Sequence, residues 1–147
     1  MLSLAWGFAV LISWTAVTGK LENYTWVLWG ITVFWTLGFD TVYAMADRED
    51  DQKIGVNSSA LFFGKYAGEA VGVFFAITAG LWAYLGVIMH LNLGFWLTWG
   101  ISLLSWMIEY IRLSSPEIPQ ETYGELFREN VILGFVLLAG IMVNIIL

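Results

Sequence analysis

Long apolar runs separated by short polar segments make up most of this chain. A helix rises 1.5 Å per residue and the hydrocarbon core of a bilayer is about 30 Å thick, so runs of roughly 18 or more apolar residues are typical of transmembrane helices. The pattern therefore predicts an all-α integral membrane protein with about five transmembrane helices, joined by short turns and by one longer polar loop at 46–65. The predicted spans are residues 2–17, 25–45, 66–89, 93–111 and 129–147.

Composition agrees with a lipid environment. Of the 147 residues, 59% are hydrophobic and only 12% are charged, about half the charged fraction of a typical soluble domain. The chain has no cysteine, which excludes a disulfide framework, a thiolate nucleophile and a cysteine-based metal site. Its net charge of −6 argues against nucleic acid as a partner.

The basic residues predict how the chain is oriented in the membrane. Five alternating spans would put the N-terminus, the loop 46–65 and the segment 112–128 on the same side. That side carries five of the six basic residues, and the other side carries only Lys20; the five are Arg48, Lys53, Lys65, Arg112 and Arg128. Because Lys and Arg are enriched in cytoplasmic loops, we expect a multi-pass protein of the inner or plasma membrane whose loop 46–65 faces the cytoplasm.

Four aspartates, Asp40, Asp47, Asp50 and Asp51, follow one another at the end of the second apolar run. If that helix continues through them, three of the four fall on one stripe, with Asp50 at its edge, since successive helical residues are about 100° apart. Stacked carboxylates repel one another unless a cation lies among them. Oxygen ligands without His or Cys favour Mg²⁺, Mn²⁺ or Ca²⁺. The stripe therefore predicts a site for a divalent cation.

Further polar residues near the aspartates suit an anionic ligand. Arg48 and Lys53 could neutralise a diphosphate, and residues 57–59 could cap the next helix, whose free N–H groups favour anions. The same residues leave other interpretations open: a solvated acidic loop, a cation-binding subunit of a membrane transporter, or a lipid enzyme of the CDP-alcohol phosphotransferase type. The last type requires an Asp-Gly-x-x-Ala-Arg start, which this chain lacks.

The segment around the aspartates also resembles a known family. It reads GFDTVYAMADREDD at 38–51, KIGVNSSA at 53–60 and Phe-Gly at 63–64. This combination is similar to the second aspartate-rich motif of the intramembrane aromatic prenyltransferases, in particular their 4-hydroxybenzoate polyprenyltransferase branch. The resemblance continues into the last helix, where Phe127, Asn130 and Gly134 keep the family's spacing.

The resemblance implies a bundle of about nine helices around a cavity, which transfers a polyprenyl group from polyprenyl diphosphate to 4-hydroxybenzoate during ubiquinone or plastoquinone synthesis. It implies Mg²⁺ as the cofactor, with two aspartate motifs holding the ions. On this basis we expect Asp47 and Asp51 to be the catalytic metal ligands, and Asp40 and Asp50 to support the metal or its waters. We expect Arg48 and Lys53 to bind the diphosphate, and Tyr43 to line the cavity. All of these residues lie in the segment that resembles the family motif.

This chain departs from the family pattern in three respects. Asn57 replaces a lysine found in many members, and neither the first Asn-Asp-x-x-Asp motif nor the Tyr-x-x-x-Lys motif is present. We therefore expect the chain to correspond to the C-terminal half of such an enzyme, to need the N-terminal half as a partner, and to be inactive alone.

Two other segments have plainer expectations. Glu109, near the cytoplasmic end of the fourth span, could be a carboxylate of the cavity, but we expect instead that it extends its carboxylate to the membrane interface. Residues 120–129 have apolar residues at helical spacing, and we expect a short helix lying on the membrane surface there.

Overall fold

The chain folds into seven α-helices and one short 3₁₀ turn in a computed structural model, which describes residues 2–115 and 117–146, with the side chains of residue 2 and residues 144–146 excepted. In chain order these are α1 (Leu2–Thr18), α2 (Asn23–Ala46), α3 (Arg48–Ile54), α4 (Ser59–Phe63), the 3₁₀ turn (Gly64–Tyr66), α5 (Ala67–Ile88), α6 (Leu93–Leu113) and α7 (Gln120–Ile146). The described residues contain no strand, so the all-α prediction is confirmed.

Local signals in the sequence account for the helix ends. Helix α1 stops where Gly19 adopts a left-handed conformation with φ of 72°, which glycine tolerates without a steric penalty. Helix α2 begins where the Glu22 backbone N–H donates a 3.1 Å hydrogen bond to the Thr25 hydroxyl. At the start of α6, the Asn92 side chain accepts a hydrogen bond from the Phe95 N–H, as N-cap residues commonly do.

Three helical segments of the described residues are long and apolar enough to cross a membrane: Asn23–Ala46, Ser59–Ile88 and Gln120–Val143. The two other predicted spans are also helical, but α1 is shorter, and α6 contains polar residues such as Ser102 and Glu109 that lower its hydropathy. The predicted end of the last span, Leu147, lies outside the described residues.

The structure differs from the expectation at residues 120–129. These residues do not form a separate helix on the membrane surface, because α7 runs without interruption from Gln120 to Ile146. Arg112 at the end of α6 forms ion pairs with Glu125 and Glu129 of α7, the latter at 3.0 Å. These pairs neutralise acidic residues in the first turns of α7, and no proline follows them in the helix, so the apolar part of α7 continues the same helix.

Helix α2 is central to the packing, since it contacts α1, α5 and α7, while α6 packs between α5 and α7. Aromatic rings form the middle of the core. Trp106 of α6 stacks on Phe75 of α5 with centroids 5.7 Å apart, and its ring meets Trp35 of α2 edge to face at 5.5 Å. Gly38 permits this arrangement, because a Cβ atom there would lie 2.5 Å from the Phe75 ring.

Large apolar side chains are exposed on the outside of the bundle, including Trp6 on α1, Leu93 on α6 and Phe135 on α7. In a lipid bilayer such side chains face the acyl chains, whereas in water they would form an extensive apolar surface. The helix faces therefore fit a protein that is embedded in a membrane.

Candidate functional site

Asp47 lies at a junction between two helices. Helix α2 ends at Ala46, α3 begins at Arg48, and Asp47 itself has φ of −97° and ψ of 8°. The backbone nevertheless keeps one helical hydrogen bond across this junction, since the Asp51 N–H donates to the Asp47 carbonyl at 2.9 Å. Asp47 and Asp51 are therefore one turn apart, a spacing at which side chains on a helix are neighbours about 5–6 Å apart at Cβ.

The expectation of one unbroken helix through all four aspartates is wrong, because the junction at Asp47 separates Asp40 on α2 from Asp50 and Asp51 on α3. Asp40 is half-buried on the apolar helix, Asp47 and Asp50 are exposed, and Asp51 is half-buried. Within residues 2–115 and 117–146, no three acidic or histidine side chains lie close enough together to hold one metal ion. The structure thus brings Asp47 and Asp51 to adjacent turns but does not gather all four carboxylates.

The donor set can be tested against the magnesium ion that the motif implies. Neither Asp47 nor Asp51 forms a salt bridge with any described residue. Mg²⁺ is usually held by only one or two protein carboxylates, with water and phosphate oxygens completing its coordination. Two unpaired carboxylates on adjacent turns, with access to water, fit that requirement.

The two candidate diphosphate-binding residues differ in their surroundings. The Lys53 ammonium donates a 2.9 Å hydrogen bond to Asp50, and this contact raises the pKa of Lys53, so the side chain stays charged. Arg48 is exposed and forms no salt bridge within the described part of the chain. Arg48 is therefore free to meet an anion, whereas Lys53 shares its charge with Asp50.

Two cavities lie along α2 and α7, share the Phe127 ring and are together called the groove; Ala46, the residue before Asp47, is at one end of it. Its near part is a cavity of about 280 Å³, and its far part a cavity of about 340 Å³; the Phe127 ring lines both. The near part is lined by Tyr43, Ala46, Gln120, Tyr123, Gly124 and Phe127, and the far part by Thr32, Trp35, Thr36, Phe39, Phe127, Asn130 and Val131. From Thr32 to Ala46 the groove follows α2 for about 21 Å at the helical rise of 1.5 Å per residue.

The groove is apolar and rich in aromatic rings. The Phe127 ring lies 5.3 Å from Phe39 and 6.4 Å from Tyr43 between centroids, so α2 and α7 meet through these rings. At the end nearest Asp47, the Gln120 amide donates a 3.0 Å hydrogen bond to the Ala46 carbonyl and ties the start of α7 to the end of α2. The arrangement can hold a long hydrocarbon whose charged end lies at the aspartates.

A polar network beside the groove was missed by reasoning from the sequence. Glu109 does not extend to the membrane interface: its side chain is fully buried and accepts a 2.7 Å hydrogen bond from the Asn130 amide. The expectation for Glu109 was wrong because α7 supplies a buried donor that sequence alone does not place opposite it. The signal was present as an acidic residue in an apolar run, which is by default a candidate for function.

Comparison with known proteins matches residues 1–131 to a model described as the UbiA prenyltransferase family. The chain is 66% identical over 144 residues to a 4-hydroxybenzoate solanesyltransferase of Synechocystis sp., and the match covers 98% of this chain and 49% of that protein. It is 37% identical over 140 residues to a 4-hydroxybenzoate octaprenyltransferase of Burkholderia vietnamiensis, and this match covers 95% of this chain and 48% of that protein. The chain spans about half the length of these curated relatives. No solved structure matches it.

Proposed function

Since this chain belongs to the UbiA prenyltransferase family, we propose that it forms part of an enzyme that transfers a polyprenyl group from polyprenyl diphosphate to the ring of 4-hydroxybenzoate. The observation that carries the proposal is that Ala46, the residue directly before Asp47, lines the near end of the apolar groove, and that Asp51 follows Asp47 by one turn. A substrate with an anionic head and a hydrocarbon tail suits this arrangement, with the head at the aspartates through a metal ion and the tail in the apolar groove. Family membership also favours this function over a cation-binding transporter subunit.

In this proposal Asp47 and Asp51 would hold Mg²⁺, and Asp40 and Asp50 would support the metal or its waters. When bound, the ion supplies positive charge that neutralises the diphosphate leaving group. Arg48 contacts the diphosphate directly because no described residue competes for it, and Lys53 does so with Asp50 as its neighbour. The head of the substrate is thereby fixed at the junction between α2 and α3.

The transfer breaks the C–O bond between the prenyl group and the diphosphate, and the diphosphate leaves with the bonding electron pair. The ring carbon ortho to the phenol hydroxyl of 4-hydroxybenzoate then attacks the allylic cation, and that carbon loses its proton to the released diphosphate or to water, which restores the aromatic ring. In this chain the Tyr43 ring lines the near part of the groove, the Phe39 ring lines the far part, and the Phe127 ring contacts both of them. Aromatic faces stabilise a cation, and an apolar groove excludes water that would otherwise quench it.

The complete site, in this proposal, contains further helices. The curated relatives are about twice as long as the matched region. In this proposal two aspartate motifs are needed, because a diphosphate carries about three negative charges at neutral pH, more than the up to two charges of a single phosphate group. We therefore expect these 147 residues to act with an N-terminal half. Below, the full-length protein means this chain together with that half.

The membrane context follows from the same proposal. The enzyme is a multi-pass protein of the inner or plasma membrane, with Asp47 on the cytoplasmic side, where a soluble acceptor such as 4-hydroxybenzoate is available. Its prenylated product remains in the bilayer and is an intermediate for a quinone, ubiquinone or plastoquinone. The five basic residues on the side of the Asp47 loop support this orientation.

The test is a comparison of Asp51→Ala with Asp50→Ala in the full-length protein. Loss of Asp51 removes a ligand of the ion that stabilises the leaving group, and we expect the rate of prenyl transfer to fall on the order of 10³-fold. Asp50→Ala is the matched control, because it also removes one negative charge and Asp50 is next to Asp51 in the chain. Asp50 is exposed and paired with Lys53, so we expect the rate of prenyl transfer to fall less than about tenfold. If Asp50→Ala abolishes transfer and Asp51→Ala is mild, the assigned pair is wrong.

A further inference from the structure

The Asn130 side chain uses all of its hydrogen-bonding capacity inside the bundle. Its carbonyl oxygen accepts from the indole N–H of Trp35 at 2.9 Å and from that of Trp106 at 3.2 Å. Its NH₂ group donates to Glu109 Oε2 at 2.7 Å and to the Leu126 carbonyl at 3.0 Å. Asn130 thereby connects α7 to α2 through one indole and to α6 through the other indole and the carboxyl group.

Glu109 is one of four partners that fix which way the Asn130 amide points, together with the Leu126 carbonyl and the two indoles, and it is the interhelical acceptor among them. An amide rotated by 180° would put its oxygen against an oxygen of Glu109 and its NH₂ group against two indole N–H donors, and all four contacts would be lost. Indole nitrogen only donates, so the observed orientation is the one that satisfies all four groups in contact with the Asn130 amide. Because the site is buried, unsatisfied groups there are costly, and the acceptor on Glu109 keeps the amide oxygen directed at Trp35.

The network fixes one wall of the groove. Trp35 and Asn130 both line the 340 Å³ cavity, and Trp35 rests edge to face on Trp106, which is stacked on Phe75. The hydrogen bond from Trp35 to Asn130 holds the indole at its edge, while the ring forms part of the apolar surface. Glu109 does not line that cavity, so it acts on the wall only through Asn130.

We propose that Glu109 is a positioning residue for the hydrocarbon part of the prenyl substrate. Through Asn130 it fixes the orientation of the Trp35 ring, and the hydrocarbon packs against that ring. This inference rests on the proposed function, and it adds a residue on α6 that lies outside the aspartate motif. It concerns binding of the hydrocarbon and leaves contacts with the aromatic acceptor unchanged.

The experiment measures the dissociation constant of a non-hydrolysable prenyl thiolodiphosphate and the KM for 4-hydroxybenzoate in the full-length protein. Glu109→Leu removes the acceptor, and we expect the dissociation constant of the prenyl analogue to rise about tenfold while the KM for 4-hydroxybenzoate changes less than twofold. Glu109→Gln keeps an acceptor oxygen and should restore binding to within about twofold of the wild type. Combining Glu109→Leu with Trp35→Phe should give less than the product of the single effects, since both act on one contact.

A matched control separates positioning from general loss of structure. Trp82 is another buried tryptophan, on α5, and its indole N–H has no hydrogen-bond partner within the described residues. Trp35→Phe should weaken binding of the prenyl analogue several-fold, whereas Trp82→Phe should leave it unchanged. If Glu109→Leu does not fold, the comparison of these two phenylalanine variants decides the question.

Unchanged binding of the prenyl analogue in folded Glu109→Leu would overturn the inference, as would unchanged binding in Trp35→Phe or equal loss in Trp35→Phe and Trp82→Phe. Failure of the proposed function looks different. In that case the wild-type protein forms no prenylated 4-hydroxybenzoate, while binding of the prenyl analogue still reports whether Glu109 and Trp35 act together.

Discussion

Replacing Asn130 with leucine tests how strongly the polar network holds α2, α6 and α7 together. Leucine has a similar size and can fill the same space, but it offers no hydrogen bond. The substitution leaves the indole N–H groups of Trp35 and Trp106 and the Oε2 atom of Glu109 without their partner. The Leu126 carbonyl lies in the same helix as Asn130 and is not counted as an interhelical contact.

The expected cost follows from the three interhelical hydrogen bonds. Measured values for such bonds between membrane helices average about 0.6 kcal/mol and reach about 1.7 kcal/mol. Three of them give a loss of about 2 to 5 kcal/mol in the free energy of unfolding. The upper part of this range is the more relevant one, because Glu109 is fully buried and its other carboxyl oxygen already has no partner among the described residues.

The assay is reversible unfolding of the full-length protein in mixed detergent micelles, followed by far-ultraviolet circular dichroism. Asn57→Leu is the control, since Asn57 is exposed in the loop before α4 and its replacement should change stability by less than about 0.5 kcal/mol. A loss below about 0.5 kcal/mol for Asn130→Leu would refute the reasoning, because it would mean that the three interhelical hydrogen bonds of Asn130 contribute almost nothing to stability.

Two more predictions concern orientation and completeness. A single cysteine introduced at Asn57 should react with an impermeant reagent only from the cytoplasmic side, and one at Asn92 only from the other side, because an odd number of crossings separates them; equal labelling from both sides would exclude this topology. Residues 1–147 expressed alone in a host without its own 4-hydroxybenzoate prenyltransferase should yield no prenylated 4-hydroxybenzoate in extracted lipids, since one aspartate motif and half of the cavity wall are not sufficient; restored product would contradict that expectation.

The helices themselves could be predicted from the sequence because bilayer thickness and backbone hydrogen bonding leave few alternatives for long apolar runs. The resemblance carried by residues 38–60 predicted the family, and the match over residues 1–131 confirms it. Both inferences rest on local information: the length of an apolar run, or the spacing of side chains along one segment.

Features that depend on packing could not be predicted in this way. The break at Asp47 has no proline or glycine to mark it, and the hydrogen bond from Gln120 to Ala46 joins residues 74 positions apart. The burial of Glu109 depends on a hydrogen bond from Asn130 on another helix. The periodicity of the sequence does not reveal that Asn130 is its partner. The contacts made by Ala46 and by Glu109 join parts of the chain that are distant in sequence.

The most direct test of the central claim is prenyl transfer by the purified full-length protein reconstituted in liposomes. With a polyprenyl diphosphate, 4-hydroxybenzoate and Mg²⁺, we expect a product carrying the prenyl group on the ring carbon ortho to the hydroxyl, identified by mass spectrometry and nuclear magnetic resonance. Chelation of the metal with EDTA should abolish the product, and added Mg²⁺ should restore it. Absence of ring-prenylated product in the presence of Mg²⁺, or an equal rate with EDTA, would contradict the account.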